Sequence, residues 1–344
     1  MNLTQLARYA LDLFARLEDE SGQAIGYQQT GGVWLAQEAA RMVELRRIKA
    51  MGDRSELDTQ LLSASEIGQR LPMLYSEDLA GGLWVEQDAQ VNPVDLCMAY
   101  ARAAAKLGVE IREYSRVSNI ETRRAAVTAV ELADGTRISC DKLVLCAGAW
   151  TAQLGAMANV DIPLVACEHM YLVTDVIEQL PRPCPIIRDL DGGIYLKGDN
   201  GKLVLGAFEA NPKPWTPTQQ DAGFLMFDED WDHAQPMLEA GIKRAPLIAD
   251  QGITHFMNGP ESFTPDTKQM MGEAPACRNL FVAAGFNSIG IMSSAGVGKV
   301  MARWIRDNEA PLDLWEVDIA RFDPLQSEAG FLQQRLPEAV HNQF

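Results

Sequence analysis

The sequence lacks any apolar run of the ~18 residues that a membrane-spanning helix needs, which argues against a membrane span. Basic residues are few: 30 Lys and Arg stand against 47 Asp and Glu, giving a formal net charge of −17. That field repels a phosphate backbone and so disfavours a nucleic-acid partner. There are 6 cysteines and no C-x-x-C pair among them. This disfavours a zinc site or a disulfide framework and suits a reducing compartment. A basic, apolar leader is also missing, because residues 1–16 read as an amphipathic helix. The motifs H-E-x-x-H and G-x-S-x-G do not occur. A phosphate loop at Gly298-Lys299 fails, since Ser293 stands at the first glycine position and Val300 at the Ser/Thr position. What is present is a chain of 344 residues, 47% hydrophobic. That suffices for two domains or one large α/β domain with an elaborated sheet. These features predict a soluble, acidic, cytoplasmic protein.

Along the chain, Leu3, Leu6, Ala7, Ala10, Phe14 and Leu17 recur at helical spacing, and Gly22 ends that helix. Val33-Trp34-Leu35 reads as a strand and residues 38–51 as a helix. Ser63 and Glu66 have capping-box spacing, and Pro72 closes that short helix. Asn92 and Pro93 are suited to cap and open a helix whose face carries Leu96, Tyr100, Ala103, Ala104 and Leu107. Gly108 stops it, and Val109-Glu110-Ile111 starts a strand. A hairpin follows, with strands 127–132 and 136–139 about the turn Asp134-Gly135. Residues 143–147 form an unbroken apolar run, the pattern of a parallel strand covered on both faces. Residues 170–176, 193–197 and 203–208 read as strands, and 211–215 as a Pro-rich loop. Residues 221–244 read as largely helical, 281–285 as a second buried strand, and 299–306 as a helix. From about residue 318 the chain is polar and reads as a tail or linker.

Two strands end in glycine: Ala147-Gly148-Ala149-Trp150 and Gly285-Phe286-Asn287-Ser288-Ile289-Gly290. Glycine at the carboxyl end of a sheet strand admits a ligand close to the backbone, and a following helix offers N–H donors. The same glycines would equally serve tight turns and close packing. His169, in Cys167-Glu168-His169-Met170-Tyr171, suits a structural histidine as well as a functional one. His233, His255 and His341 have no metal-ligand spacing with one another. Tyr195, after Gly192-Gly193, could be an ordinary half-buried strand tyrosine.

Several blocks in this order change that reading. They are residues 166–172, Ile194-Tyr195-Leu196, Asn211-Pro212-Lys213-Pro214 and Asp230-Trp231-Asp232, then residues 259–266, 271–275 and 285–288. Together they resemble the FAD-dependent sarcosine and dimethylglycine dehydrogenase family, over nearly the whole chain. The resemblance implies an α/β fold in which an FAD-binding dinucleotide domain, here incomplete, is interleaved with an antiparallel-sheet substrate domain. It divides the chain into a mixed, largely substrate-domain segment (1–90), the later part of the FAD domain (91–155) and the substrate domain (156–275). The FAD domain then returns (276–310) before a C-terminal tail (311–344).

The resemblance also implies the chemistry. A small N-methyl amine loses hydride from its methyl group to FAD. Tetrahydrofolate would enter only through a C-terminal region absent here, and the electron acceptor stays unassigned. His169 matches the active-site histidine, and Tyr195 the substrate-side tyrosine. That second match carries a one-residue ambiguity with Ile194, hence one face of the strand. Val117 matches the position whose backbone faces the adenine end of FAD, and Ala147, Gly148 and Trp150 match the second flavin-contacting strand end. Gly285, Phe286, Asn287, Ser288, Ile289, Gly290 and Ile291 match the loop at the isoalloxazine ring. No metal site is implied.

The chain is expected to depart from the family in several respects: the upstream histidine that often holds the flavin covalently has no counterpart, nor do roughly the first hundred residues of a family member or its C-terminal folate-binding region. The G-x-G-x-x-G fingerprint is missing, and Gly22-Gln23-Ala24-Ile25-Gly26 does not replace it, because it follows a helix rather than a strand. The expectation is therefore a fragment that binds FAD weakly by itself. The stretch from Leu314 to Ser327 also resembles the regulatory subunit of pyruvate dehydrogenase phosphatase, a non-catalytic relative, so a regulatory role is the alternative. The expected compartment is the cytoplasm, or the mitochondrial matrix if the source is eukaryotic.

Overall fold

The computed structural model describes residues 2–218 and 224–343. The first helix, α1 (Asn2–Ser21), buries Leu6, Ala10, Phe14 and Leu17 along one stripe, the spacing of an amphipathic helix. It is followed by β1 (Gln28–Gln29), β2 (Gly32–Ala36), α2 (Ala39–Arg54) and β3 (Thr59–Leu62). Helix α3 (Ala64–Arg70) starts with the predicted capping box, in which Ser63 accepts from the Glu66 amide and the Glu66 side chain accepts from the Ser63 amide. Strands β4 (Gly81–Val85) and β5 (Ala89–Gln90) lead to α4 (Pro93–Lys106), where the Asn92 side chain accepts from the amides of Val94 and Asp95.

The chain continues with β6 (Val117–Thr122), β7 (Val127–Leu132), β8 (Arg137–Ser139) and β9 (Leu143–Leu145). After a 3-10 turn come α5 (Thr151–Met157), β10 (Val165–Thr174), β11 (Ile186–Asp189), β12 (Ile194–Asp199), β13 (Lys202–Ala207) and β14 (Pro214–Trp215). Helix α6 (Trp231–Arg244) precedes β15 (Ile253–Phe263), β16 (Met270–Glu273) and β17 (Leu280–Ala284). Helices α7 (Gly290–Asp307) and α8 (Ala329–His341) complete the order.

The large sheet runs β14-β10-β13-β12-β11-β2-β4-β3, with β15 along the other edge of β10. It is antiparallel except where β11 meets β2. One face of it carries the largest core, in which Met170, Leu172, Ile194, Leu196, Leu203 and Leu205 meet Ala234 and Met237 of α6. A second sheet joins β9 to β17 in parallel and β17 to β16 antiparallel. Strands β6, β7 and β8 make the predicted hairpin and its neighbour. Strands β9 and β17 lie side by side although the strands of the large sheet from β10 to β15 separate them in sequence. The predicted α/β fold with an interleaved antiparallel sheet is what forms.

Several local expectations change. Val109-Glu110-Ile111 is not a strand: both apolar side chains are more than half exposed, and no strand pairs with them among the described residues. Leu107 lies past the end of α4 and faces solvent, while Ala99 joins Leu96 in the core. The run at 143–147 is not covered on both faces, since Val144 and Cys146 are exposed. The equally apolar β17 is buried at every position, because its two faces are both covered: Leu280, Val282 and Ala284 join one core, and Phe281 and Ala283 join another with α7. The helix expected over 221–244 begins at Trp231, where Asp230 accepts from the His233 amide; residues 221–223 of that expectation lie outside the described residues. The last helix, expected at 299–306, starts nine residues earlier, directly after the glycine loop. Pro214 and Trp215, expected in a loop, pair with Cys167 and Ala166. The segment expected as a tail ends in α8, whose Leu332, Leu336, Ala339 and Val340 pack on Val165, Cys167, Phe208 and Phe263.

Candidate active site

His169 sits in the middle of β10, opposite Gly259 of β15. Its Nδ1 lies 3.6 Å from Glu209 Oε2, and its Nε2 lies 3.6 Å from Glu261 Oε2. Glu261 is the register neighbour of Cys167, two residues from His169, so the two side chains meet diagonally across the strand pair. Glu209 follows β13, directly after Phe208. The Phe208 ring stands 5.3 Å from the imidazole and the Phe263 ring 6.1 Å. Burial by itself would lower the imidazole pKa. The two carboxylates outweigh it and hold the pKa above its ordinary value.

Tyr195 lies on β12 opposite Gly206 of β13. Its ring is 6.2 Å from Phe208, so Phe208 is the shared neighbour of Tyr195 and His169. Ile194 points the other way, 1% exposed, into the core beneath α6. Of the two residues, Tyr195, not Ile194, lies on the His169 side of the strand. Burial first, and then the charge of Glu261, raises the phenol pKa, so the hydroxyl keeps its proton.

The glycine loop leaves the end of β17. Gly285 has φ +64, Asn287 φ 48 and Ser288 φ 63, three left-handed residues in a short turn. A Cβ at Gly285 would also stand 2.5 Å from Thr264 Cγ2. The turn is held by Asn287, whose Oδ1 accepts from the Thr264 amide at 2.9 Å and whose Nδ2 donates to the Gly285 carbonyl at 2.8 Å. Asn287 is therefore turned inward, and Phe286 is half-buried against the α7 core. Ser288, Ile289 and Ile291 are the exposed members. Ser288 Oγ donates to Glu261 Oε1 at 2.7 Å, which ties the loop to the carboxylate beside His169. Helix α7 starts here with no side-chain cap.

The second glycine-ended strand reaches the same sheet end. Leu143 is in register with Leu280, which sets Gly148 level with Gly285. The Ala147 amide donates to Thr151 Oγ1, and Gly148–Trp150 form a 3-10 turn. Val117 and Ala147 line an apolar trough of about 330 Å³ with Ile120, Val130, Leu145 and Cys146. Trp150 packs edge-on against Trp215, centroids 5.8 Å apart, and its Nε1 is buried without a partner.

These residues fit parts of a flavin cofactor. The uncapped start of α7 offers amide donors to an electron-rich ring edge. Trp150 Nε1 is a further donor, and the trough is apolar and open. The G-x-G-x-x-G pattern of a pyrophosphate site does not occur in the sequence. No group of three or more His, Cys, Asp or Glu that could hold a metal occurs among the described residues.

Two groups of predicted residues come together: His169, Tyr195 and Ser288 around Glu261 and Phe208, and Val117 with Ala147 at the trough. Sequence reasoning missed Glu209, Glu261 and His233 as site members. Glu261 falls within a motif block, but nothing in the spacing of Glu209 or His233 signals their approach. His233 Nε2 lies 3.8 Å from Glu209 Oε1.

A mixed α/β molecule with a broad antiparallel sheet beside glycine-ended parallel strands suits the class of FAD-dependent oxidoreductases. Residues 1–304 match the FAD dependent oxidoreductase family and residues 307–344 the FAD dependent oxidoreductase central domain, and the chain belongs to this family. It is 36% identical over 98% of its length to the mitochondrial pyruvate dehydrogenase phosphatase regulatory subunit of Mus musculus, covering 39% of that protein. It is 37% identical over 94% of its length to mitochondrial sarcosine dehydrogenase of Mus musculus, covering 36% of that enzyme. The chain thus spans about two fifths of the length of each of these two relatives. Among solved structures, L-proline dehydrogenase from P. horikoshii shares the fold, with TM-score 0.82 at 20% identity over 92% of this chain and 82% of that one.

Proposed function

We propose that this chain forms the substrate side of an FAD-dependent oxidoreductase that oxidatively demethylates a small N-methyl amino acid of the sarcosine or dimethylglycine type. The observation that carries the reading is His169 held between Glu209 and Glu261, with Glu261 bonded to Ser288 of the glycine loop. The identity to sarcosine dehydrogenase supports it.

Hydride loss from an N-methyl group requires a free lone pair on nitrogen, so the substrate ammonium must first give up its proton. With His169 protonated, Glu261, His169 and Glu209 carry one net negative charge. That charge draws a cationic amine in. Glu261, the more exposed of the two carboxylates, stands on the loop side to take the proton. Tyr195 keeps its own proton and offers a hydrogen-bond donor to the substrate. FAD supplies the hydride acceptor when bound. Val117 would face its adenine end, and Ala147, Gly148 and Trp150 would contact it from the second strand end. Gly285, Phe286, Asn287, Ser288, Ile289, Gly290 and Ile291 would hold its isoalloxazine side, with the α7 amides as donors to the ring. In this reading residues 91–155 and 276–310 build the flavin domain around the substrate-domain segments 1–90 and 156–275. Tetrahydrofolate would act only through a region outside this chain.

No helix among the described residues is long and apolar enough to cross a membrane. The net charge of −17 disfavours nucleic acid. We assign the protein to the cytoplasm, or to the matrix in a eukaryote, as the mitochondrial relatives suggest.

The test is a visible spectrum of the purified chain after FAD addition and desalting, followed by anaerobic sarcosine or dimethylglycine. Bleaching of retained flavin supports the reading. Retained flavin that neither amine reduces would turn the assignment to the second reading, a non-catalytic regulatory protein. That reading is favoured by 36% identity to the phosphatase regulatory subunit over 98% of the chain.

A further inference from the structure

His169 Nδ1, Glu209 Oε1 and His233 Nε2 are all buried side-chain atoms with no hydrogen-bond partner. They belong to one row. Glu209 Oε2 faces His169 Nδ1 at 3.6 Å, and Glu209 Oε1 faces His233 Nε2 at 3.8 Å. Each gap is a little wider than a hydrogen bond, a distance that a small side-chain movement or one bridging water closes. The three side chains come from different elements: mid-β10, the turn after β13, and the first turn of α6. Their side chains are 11%, 18% and 15% exposed, so the row is largely enclosed while His233, at its end, still reaches solvent in part.

We propose that Glu209 is a positioning residue that links His169 to His233 and gives the site a proton exit at the start of α6. The proposal extends the amine-oxidising reading but does not need the cofactor. In the transfer, His169 gives its Nδ1 proton to Glu209 Oε2. The carboxyl group then turns about its Cγ–Cδ bond so that this same proton faces His233 Nε2 and is passed there, while the other ring nitrogen of His233 releases its proton to water. The Glu209 carboxylate is restored and His169 is left with its Nε2 proton, so one pass takes one proton out of the site.

The other polar groups around the row leave this path open. Glu261 on β15 occupies the opposite nitrogen of His169 and is itself engaged by Ser288. Tyr195 on β12 packs its ring against Phe208, and its hydroxyl, which keeps its proton, lies within the field of Glu261 and Glu209. Glu168 on β10 accepts from Asn258. At the start of α6, Asp230 pairs with Lys213 and accepts from the His233 amide. On α8, His341 Nδ1 lies 3.5 Å from the Phe208 carbonyl. The raised pKa of His169 matches a site that holds a proton and needs a route to release it.

The chain has 4 histidines, which makes side-chain NMR on the full protein tractable. The measurement is exchange of the His169 Nδ1 proton with water, in the parent protein and in Glu209→Gln and His233→Gln. The expected result is slowing of at least about tenfold in both variants, with Glu209→Asp restoring fast exchange. Unchanged exchange in both variants overturns the proposal. So does slowing in Glu209→Gln alone, because Glu209 would then be only an ion-pair partner. His255 and His341 signals report the fold; if Glu209→Gln disturbs them, His233→Gln and Glu209→Asp decide. Failure here leaves amine-dependent flavin bleaching untouched, so the two readings fail separately.

Discussion

The phenol ring of Tyr195 lies directly over Gly206, so that a Cβ on that glycine would overlap ring atoms Cζ and Cε1 and the hydroxyl. The glycine is the floor on which the ring rests, and Phe208, two residues on, is the wall between Tyr195 and His169. Gly206→Ala should push the ring off this floor at a cost of about 1–3 kcal/mol of overpacking. Denaturant unfolding checks the stability. Anaerobic flavin reduction checks the site, and it should slow in the same variant. A stable variant with unchanged reduction would remove Tyr195 from the substrate side.

The His169 pKa is raised in the folded protein, which fixes the sign of its pH effect. Its stabilisation is complete below about pH 6.5, the ordinary value expected in the unfolded chain. It fades as pH rises through the higher folded value. Parent protein and Glu209→Gln should therefore differ most in unfolding free energy at the acidic end of a series from about pH 5.5 to 9, and converge toward the alkaline end. Parallel curves across the series would mean that Glu209 does not hold the imidazolium.

Asn287 is the brace of the glycine loop. Asn287→Ala leaves the amide of Thr264, which is 0% exposed, without its acceptor. The expected loss is about 1–3 kcal/mol. FAD retention through a desalting column should fall with it, because the loop loses its left-handed shape. Asn287→Asp keeps the acceptor and should recover part of the stability.

Arg244 is 1% exposed and reaches Asp189 at 2.7 Å, Asp78 at 2.8 Å and the carbonyl of Tyr75. Removing one member of such a buried set leaves charge unpaired. Arg244→Met should cost about 3–5 kcal/mol. Lys268→Met, which breaks a half-exposed pair with Glu316, should stay within about 1 kcal/mol. Equal losses in the two variants would show that burial is not what sets the cost.

Where local chemistry decides, the sequence was legible. The Ser63–Glu66 box, the Asn92 cap before Pro93 and the Asp134-Gly135 hairpin all form from residues within a few positions of one another. The family blocks likewise located His169, Tyr195 and the glycine loop. Properties that belong to neighbours were not legible. Residues 143–147 and β17 look alike as apolar runs, yet Val144 is exposed and β17 is wholly buried, because packed cores cover both faces of β17 and Val144 joins neither. Glu209 and His233 meet across elements that no periodicity connects, so their approach to His169 emerges only once β10, β13 and α6 are packed.

Arg244 is the last residue of α6, and His233 stands in its first turn. The helix is thus a beam about 20 Å long, clamped at one end to Asp189 and Asp78 and carrying a site residue at the other. Pro236 lies between them and removes one rung of the helix ladder just beyond the site-bearing turn. Damage at the clamp reaches the site by tilting the beam, without any change in the side chains around His169. A lesion at Arg244 would therefore mimic an active-site defect from the far side of the sheet.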